Sequence, residues 1–182
     1  MASDEERRNA VREAAISMTA AIALCKANQL HVPMMILVYS AIDQMAFLSM
    51  PEDREDVNGP EFKRWCDTYL LPNSGLNCNS EDLWGARCGI LHSHSPESRL
   101  SREGRAKRIH MGWGNASAAD ANARLRSKGH DNSNVFIHVD QLFEAIINGM
   151  ARFFDGLQDD PQMEERVVRR GGKIFSNQPV LP

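Results

Sequence analysis

The sequence predicts a mainly α protein, a bundle of four or five helices carrying a small two-stranded β insertion. Three observations lead there. Apolar residues recur at three- and four-residue steps over most of the chain. Nine Met against only two Tyr favour helix packing over a sheet rich in aromatic and β-branched side chains. Beyond Pro96 the helical period gives way to two runs that read as strands. With 182 residues, 42% hydrophobic and 25% charged, the chain has the proportions of one globular domain. Wholesale disorder and a fibrous architecture are excluded.

The first helix follows Ser3, with Val11, Ala14, Ala15, Met18, Ile22 and Cys25 as its apolar stripe, and extends to about Gln29. Pro33 suits the first turn of a second helix, MMILVYSAIDQMAFLSM, which ends before Pro51. The acidic PEDREDVNG is a loop. A short third helix has Pro60 in its first turn and Phe62, Trp65, Cys66 and Tyr69 on one side; Pro72 stops it. Ser80 is the expected N-cap of the fourth helix, with Glu81 and Asp82 in the first turn, where carboxylates favour the dipole. That helix must end near Ser93, because Ser95 precedes Pro96.

The β insertion spans about 105–139, with KRIHMGW and NVFIHV as its strands. The Ala/Asn-rich ASAADANARLRSK between them has room for a helical turn or two before Gly129. A long helix then starts at Asp140, with Phe143, Ile146, Ile147, Met150, Phe154 and Leu157 on one face. A last helical segment, PQMEERVVRR, stops at Gly171-Gly172, so residues 1–172 form the domain and 173–182 a tail.

Several function classes recede. The apolar run from Val32 to Met50 is interrupted by Ser40, Asp43 and Gln44, a poor membrane span, and SDEERRN near the start lacks the apolar core of a secretory signal. The four cysteines form no CxxC pair, so a reduced, cytoplasmic protein without membrane partners is expected. Cys78, Cys88, His92 and His94 match no closed zinc spacing, and RRGGK lacks the long loop of a phosphate-binding P-loop. No metal and no cofactor are expected.

Charge is unevenly distributed. The formal net charge is −3, but residues 99–130 carry eight basic groups against two acidic ones. Within that segment Arg99, Arg102, Arg105, Lys107 and Arg108 are the candidate phosphate contacts, since Arg and Lys neutralise polyanions. A solvated loop is the other reading of the same residues.

The cluster begins just after RCGILH on the fourth helix, where Arg87 and His92 are separated by four residues. That spacing resembles the signature of the HEPN superfamily (higher eukaryotes and prokaryotes nucleotide-binding), an Arg, four to six residues, and a His. LVYSAIDQMAFLS on the second helix, LWGARCGILHSHSPESRLSREGRAKRI around the motif and VDQLFEAIINGM near the C-terminus are also similar to uncharacterised members. The resemblance implies a helical bundle and a metal-independent endoribonuclease, dimeric through the motif helix, with roles in stress response, toxin systems or anti-phage defence. RNA is then the partner, and an antitoxin or regulatory protein a further one. A catalytically inert RNA- or nucleotide-binding or dimerisation module is the alternative. Two positions depart from the superfamily: Cys88 replaces an often polar residue after the Arg, and His94 replaces a Tyr that some toxin members carry two places after the His.

The residue types suit that chemistry. RNA cleavage without a metal needs a group to take the 2′-OH proton, one to protonate the 5′-oxygen, and a cation at the phosphorane. His titrates near neutrality, and Arg stays charged throughout. Five helical positions correspond to about 140° and a rise of ~7.5 Å, so one helix assembles the pair poorly and two helices across a dimer axis would be needed. Asp43, in the stripe Ser40, Asp43, Gln44 and Phe47 of the second helix, either belongs to a wet face or lies inside and holds Arg87. Cys88 and His94 are supporting candidates. Trp84 and Trp113 have the rings to stack on bases, with the core the favoured place for Trp84.

Overall fold

A computed structural model describes residues 3–173. Residues 174–182, the expected tail beyond Lys173, lie outside the described residues. The described chain is mainly helical, with eight α-helices, one π-helical turn and a two-stranded parallel sheet. In order these are α1 (Asp4–Ala27), α2 (His31–Ser49), α3 (Gly59–Trp65), the π turn (Cys66–Leu70), α4 (Ser80–Ser93) and α5 (Arg99–Arg102). Strand β1 (Arg108–Gly112), α6 (Ala118–Ser127), β2 (Asn134–His138), α7 (Val139–Gly156) and α8 (Pro161–Gly171) follow.

The core is built around α2. Met34, Val38, Tyr39, Ala41, Ile42, Met45, Ala46 and Leu48 are all buried, and α1, α3, α4, α7 and α8 pack around the helix. A helix apolar on all sides is stable only when neighbours cover it. Each large side chain so buried contributes about 1.5–3 kcal/mol. By length and composition α2 would also cross a membrane, the test that its Ser40, Asp43 and Gln44 were expected to fail.

Local signals account for most helix ends. Ser3 and Glu6 form a capping box at the start of α1. At its end Leu30 N–H donates to Cys25 O (2.8 Å) and Gln29 N–H to Lys26 O (3.1 Å), with Gln29 at φ 56°. This is a Schellman turn with Gln where Gly is usual, so no glycine marks it in the sequence. Asn79, not Ser80, caps α4: Asp82 N–H donates to Asn79 Oδ1 (2.9 Å) and Asn79 N–H to Asp82 Oδ2 (3.2 Å). Ser80 instead donates to Asp67 at 3.0 Å.

The β insertion is a β–α–β unit. The strands pair in parallel, Arg108 opposite Asn134 and Gly112 opposite His138. Parallel strands cannot be joined by a hairpin, and the connection carries the ten-residue α6, longer than the expected turn or two. Buried Asn122 of α6 fixes the second strand, donating to Phe136 O (2.7 Å) and accepting from Phe136 N–H (2.8 Å).

The last helix closes the bundle against the first. Buried Arg170 donates to the carbonyls of Pro51 (2.6 Å) and Arg54 (2.8 Å). At Gly171 a Cβ would lie 2.7 Å from Val11 Cγ2 and 3.0 Å from Arg7 O, so only glycine allows α8 this close to α1.

Candidate functional site

Helix α4 is held rigidly at both ends, which fixes the residues between. At its start Asp82 Oδ1 accepts the Lys107 amide (2.6 Å), tying the cap to the approach of β1. Along its length Gly85 and Gly89 admit the following chain. A Cβ on Gly85 would meet Ala106 Cβ at 2.9 Å, and one on Gly89 would meet Ser95 O at 2.5 Å. His94, in the left-handed region at φ 50°, ends the helix.

Arg87 points from this frame towards α2. Its Nε and Nη2 both donate to Asp43 Oδ2, at 3.0 and 2.7 Å, and its cation lies 5.1 Å from the Trp84 ring centroid. Asp43 is thus the partner of Arg87 rather than part of a wet face. Burial holds the Asp43 carboxyl above its ordinary range, outweighing the hydrogen bonds and charge of Arg87. Its second oxygen, Oδ1, is buried with no partner among the described residues. A guanidinium has five N–H donors, so Arg87 keeps donors beyond those taken by Asp43. Burial likewise pushes the Cys88 thiol up, Arg87 beside it pulling the other way, so Cys88 is not poised as a thiolate.

The histidines stand apart. His92, in the last turn of α4, is exposed and makes no hydrogen bond among the described residues. It lies about 140° around the helix from Arg87. His94 follows Arg87 after six intervening residues, so it too falls within a spacing of four to six, but it is the left-handed cap beyond the last residue of α4. With Ala86 and Ile90, His94 borders a cleft of about 620 Å³ that His31, His110 and Trp113 also line. There Trp113, 56% exposed, stacks on His31 at 4.7 Å and 20°. Trp84 is half-buried against Phe62 (5.2 Å), between core and site.

The expected phosphate contacts are largely engaged. Arg99 pairs with Glu103 (3.7 Å), Arg105 with Glu81 and Glu103 (3.7 and 3.6 Å), and Arg108 with Glu97. Arg102 and Lys107 have no ion pair among the described residues. Glu81 and Glu97 lie outside the basic segment, so nothing local in the sequence announces that they neutralise it. Cys78, Cys88, His92 and His94 do not converge: among the described residues no three His, Cys, Asp or Glu side chains could hold one metal ion.

Comparisons with family profiles, with curated proteins and with solved structures return no match.

Proposed function

We propose that the protein is a metal-independent endoribonuclease of HEPN type, acting as a symmetric dimer in which the α4 helices face each other. The reading rests on the resemblance around Arg87 and His92 and is carried by one observation. Arg87 is gripped by Asp43 through two hydrogen bonds to a single oxygen, so its remaining donors are oriented and its charge is fixed. Such preorganisation is what a cation needs to stabilise a phosphorane at the moment its charge develops.

In the proposed reaction a 2′-OH attacks the adjacent phosphorus, a histidine moves the proton, and the 5′-oxygen leaves protonated with a 2′,3′-cyclic phosphate behind it. His92, exposed and without a competing hydrogen bond, is the proton carrier; His94, at the C-cap of α4, supports the phosphate. Toxin, stress or defence roles, with a restraining partner protein, follow from the same resemblance.

The test is cleavage of single-stranded RNA in EDTA. His92→Gln keeps hydrogen-bonding capacity but cannot cycle a proton, and should lose roughly two to four orders of magnitude in rate. Arg87→Ala should be inactive. Wild-type rates in folded His92→Gln protein would refute the assignment.

The ~140° separation of Arg87 and His92 favours a second reading, an inert RNA-binding or dimerisation module. It predicts no cleavage by the wild-type chain, with RNA still bound if the module is a binder and dimerisation alone if it is a scaffold.

A further inference from the structure

The basic segment divides in the fold. Where Arg99, Arg105 and Arg108 are engaged by glutamates, Arg124, Arg126 and Lys128 of the α6 region are exposed and take part in no ion pair among the described residues. Arg102 and Lys107 aside, the cations of this segment still available to a polyanion are therefore on α6.

Two of them face a built surface. Arg124 and Lys128, one helical turn apart, form with Ala121 and Leu125 one wall of a groove of about 260 Å³. The other wall is His110 and Phe136, paired residues of the parallel strands that share one face of the sheet. Phe136 is held firmly. Its backbone is clamped in both directions by Asn122, and its ring fills the space over Gly112, where a Cβ would fall 2.1 Å from Cζ. His110 is oriented by Asn134 at 2.8 Å and also borders the cleft beside His94. A fixed aromatic wall facing flexible, unpaired cations is the arrangement by which single-stranded nucleic acid is bound without sequence preference.

We propose that this groove seats single-stranded RNA, a base stacking on Phe136 and the flanking phosphates held by Arg124 and Lys128. The chain leaving the groove passes His110 towards the end of α4. The proposal rests on the ribonuclease reading, for which it supplies the substrate-holding surface.

The test measures binding of a labelled oligouridylate by fluorescence anisotropy across a salt series, using the full chain with His92→Gln so that the probe stays intact. Arg124→Glu with Lys128→Glu should weaken binding at least tenfold and flatten the log–log salt slope by about 1.4, the value for two phosphate contacts on a single strand. Phe136→Leu should weaken binding by roughly 5- to 150-fold, as loss of one stacked base does, with the slope unchanged. Phe136→Tyr, which keeps a ring, should bind like the parent. Parental affinity and slope in the double charge reversal would overturn the proposal. So would a charge reversal that weakens binding to duplex DNA or anionic vesicles as much as to the oligouridylate while Phe136→Leu changes nothing, since the patch would then be a general polyanion surface. If the His92→Gln chain binds no RNA and the wild type cleaves none, the ribonuclease reading itself has failed. Cleavage and binding that persist through the charge reversal remove only the groove.

Discussion

Asp43 illustrates how holding a partner in place can come at a cost to the fold. Its carboxyl is held above the ordinary value of 3.8 because desolvation exceeds what Arg87 returns. A folded-state value raised in this way means the folded protein binds the proton more tightly. The stabilising contribution is then complete below the unfolded value and is lost as pH rises through the folded one. Asp43→Asn removes that titration together with the negative charge that grips Arg87, leaving only a neutral oxygen to accept from it. The wild type should therefore gain stability relative to Asp43→Asn as pH falls from 7 towards 3.8, in paired denaturant melts, while RNA cleavage by the variant drops by up to roughly 100-fold as Arg87 loses its fixed position. A stability difference independent of pH would mean that Asp43 is not the buried charge described. The sequence displayed the stripe of Ser40, Asp43, Gln44 and Phe47 but left two places open for it. The choice depended on a partner 44 positions away, which no local pattern encodes.

At the scale of elements, the helices with strong periodicity were legible: α1, α2, α4 and α7 begin and end within a few residues of where their apolar spacing and capping residues put them. What was not legible has physical causes. Helix α6 is polar and rich in Ala and Asn, with little apolar period, and owes its length to its place between two parallel strands. The π turn after α3 follows no sequence signal; there Arg152 of α7 takes the Tyr69 carbonyl at 2.9 and 2.5 Å. Two glycines make the packing argument testable. Gly89→Ala drives a methyl into backbone at Ser95 O and should destabilise by about 1–3 kcal/mol, the range for overpacking. Gly156→Ala, at the end of α7 with nothing within 4 Å of the added methyl, should instead stabilise by about 0.5–1 kcal/mol. Thermal melts of the two variants side by side should show shifts of opposite sign, the larger one downward for Gly89→Ala.

For the whole molecule, the separation of Arg87 and His92 around one helix makes assembly the decisive property. If the reaction centre is shared between chains, Arg87→Ala and His92→Gln dimers are each inactive, yet mixing and re-annealing them creates heterodimers with one intact centre. Cleavage should reappear at up to roughly a quarter of the wild-type rate, since about half the dimers are mixed and each has one site of two. No recovery on mixing would place both groups in one chain or the chemistry elsewhere. Covering α2 has a consequence of another kind. Nineteen residues of apolar helix, a length that matches lipid as well as it matches a protein interior, stay inside only because α1 and α8 close over one side and α3, α4 and α7 over the others. A chain ending before Pro161 loses the Arg170 and Gly171 clasp and uncovers that flank. In vesicle flotation the truncated protein should rise with the lipid and the full chain should stay behind, because the same helix then has a second solvent to choose.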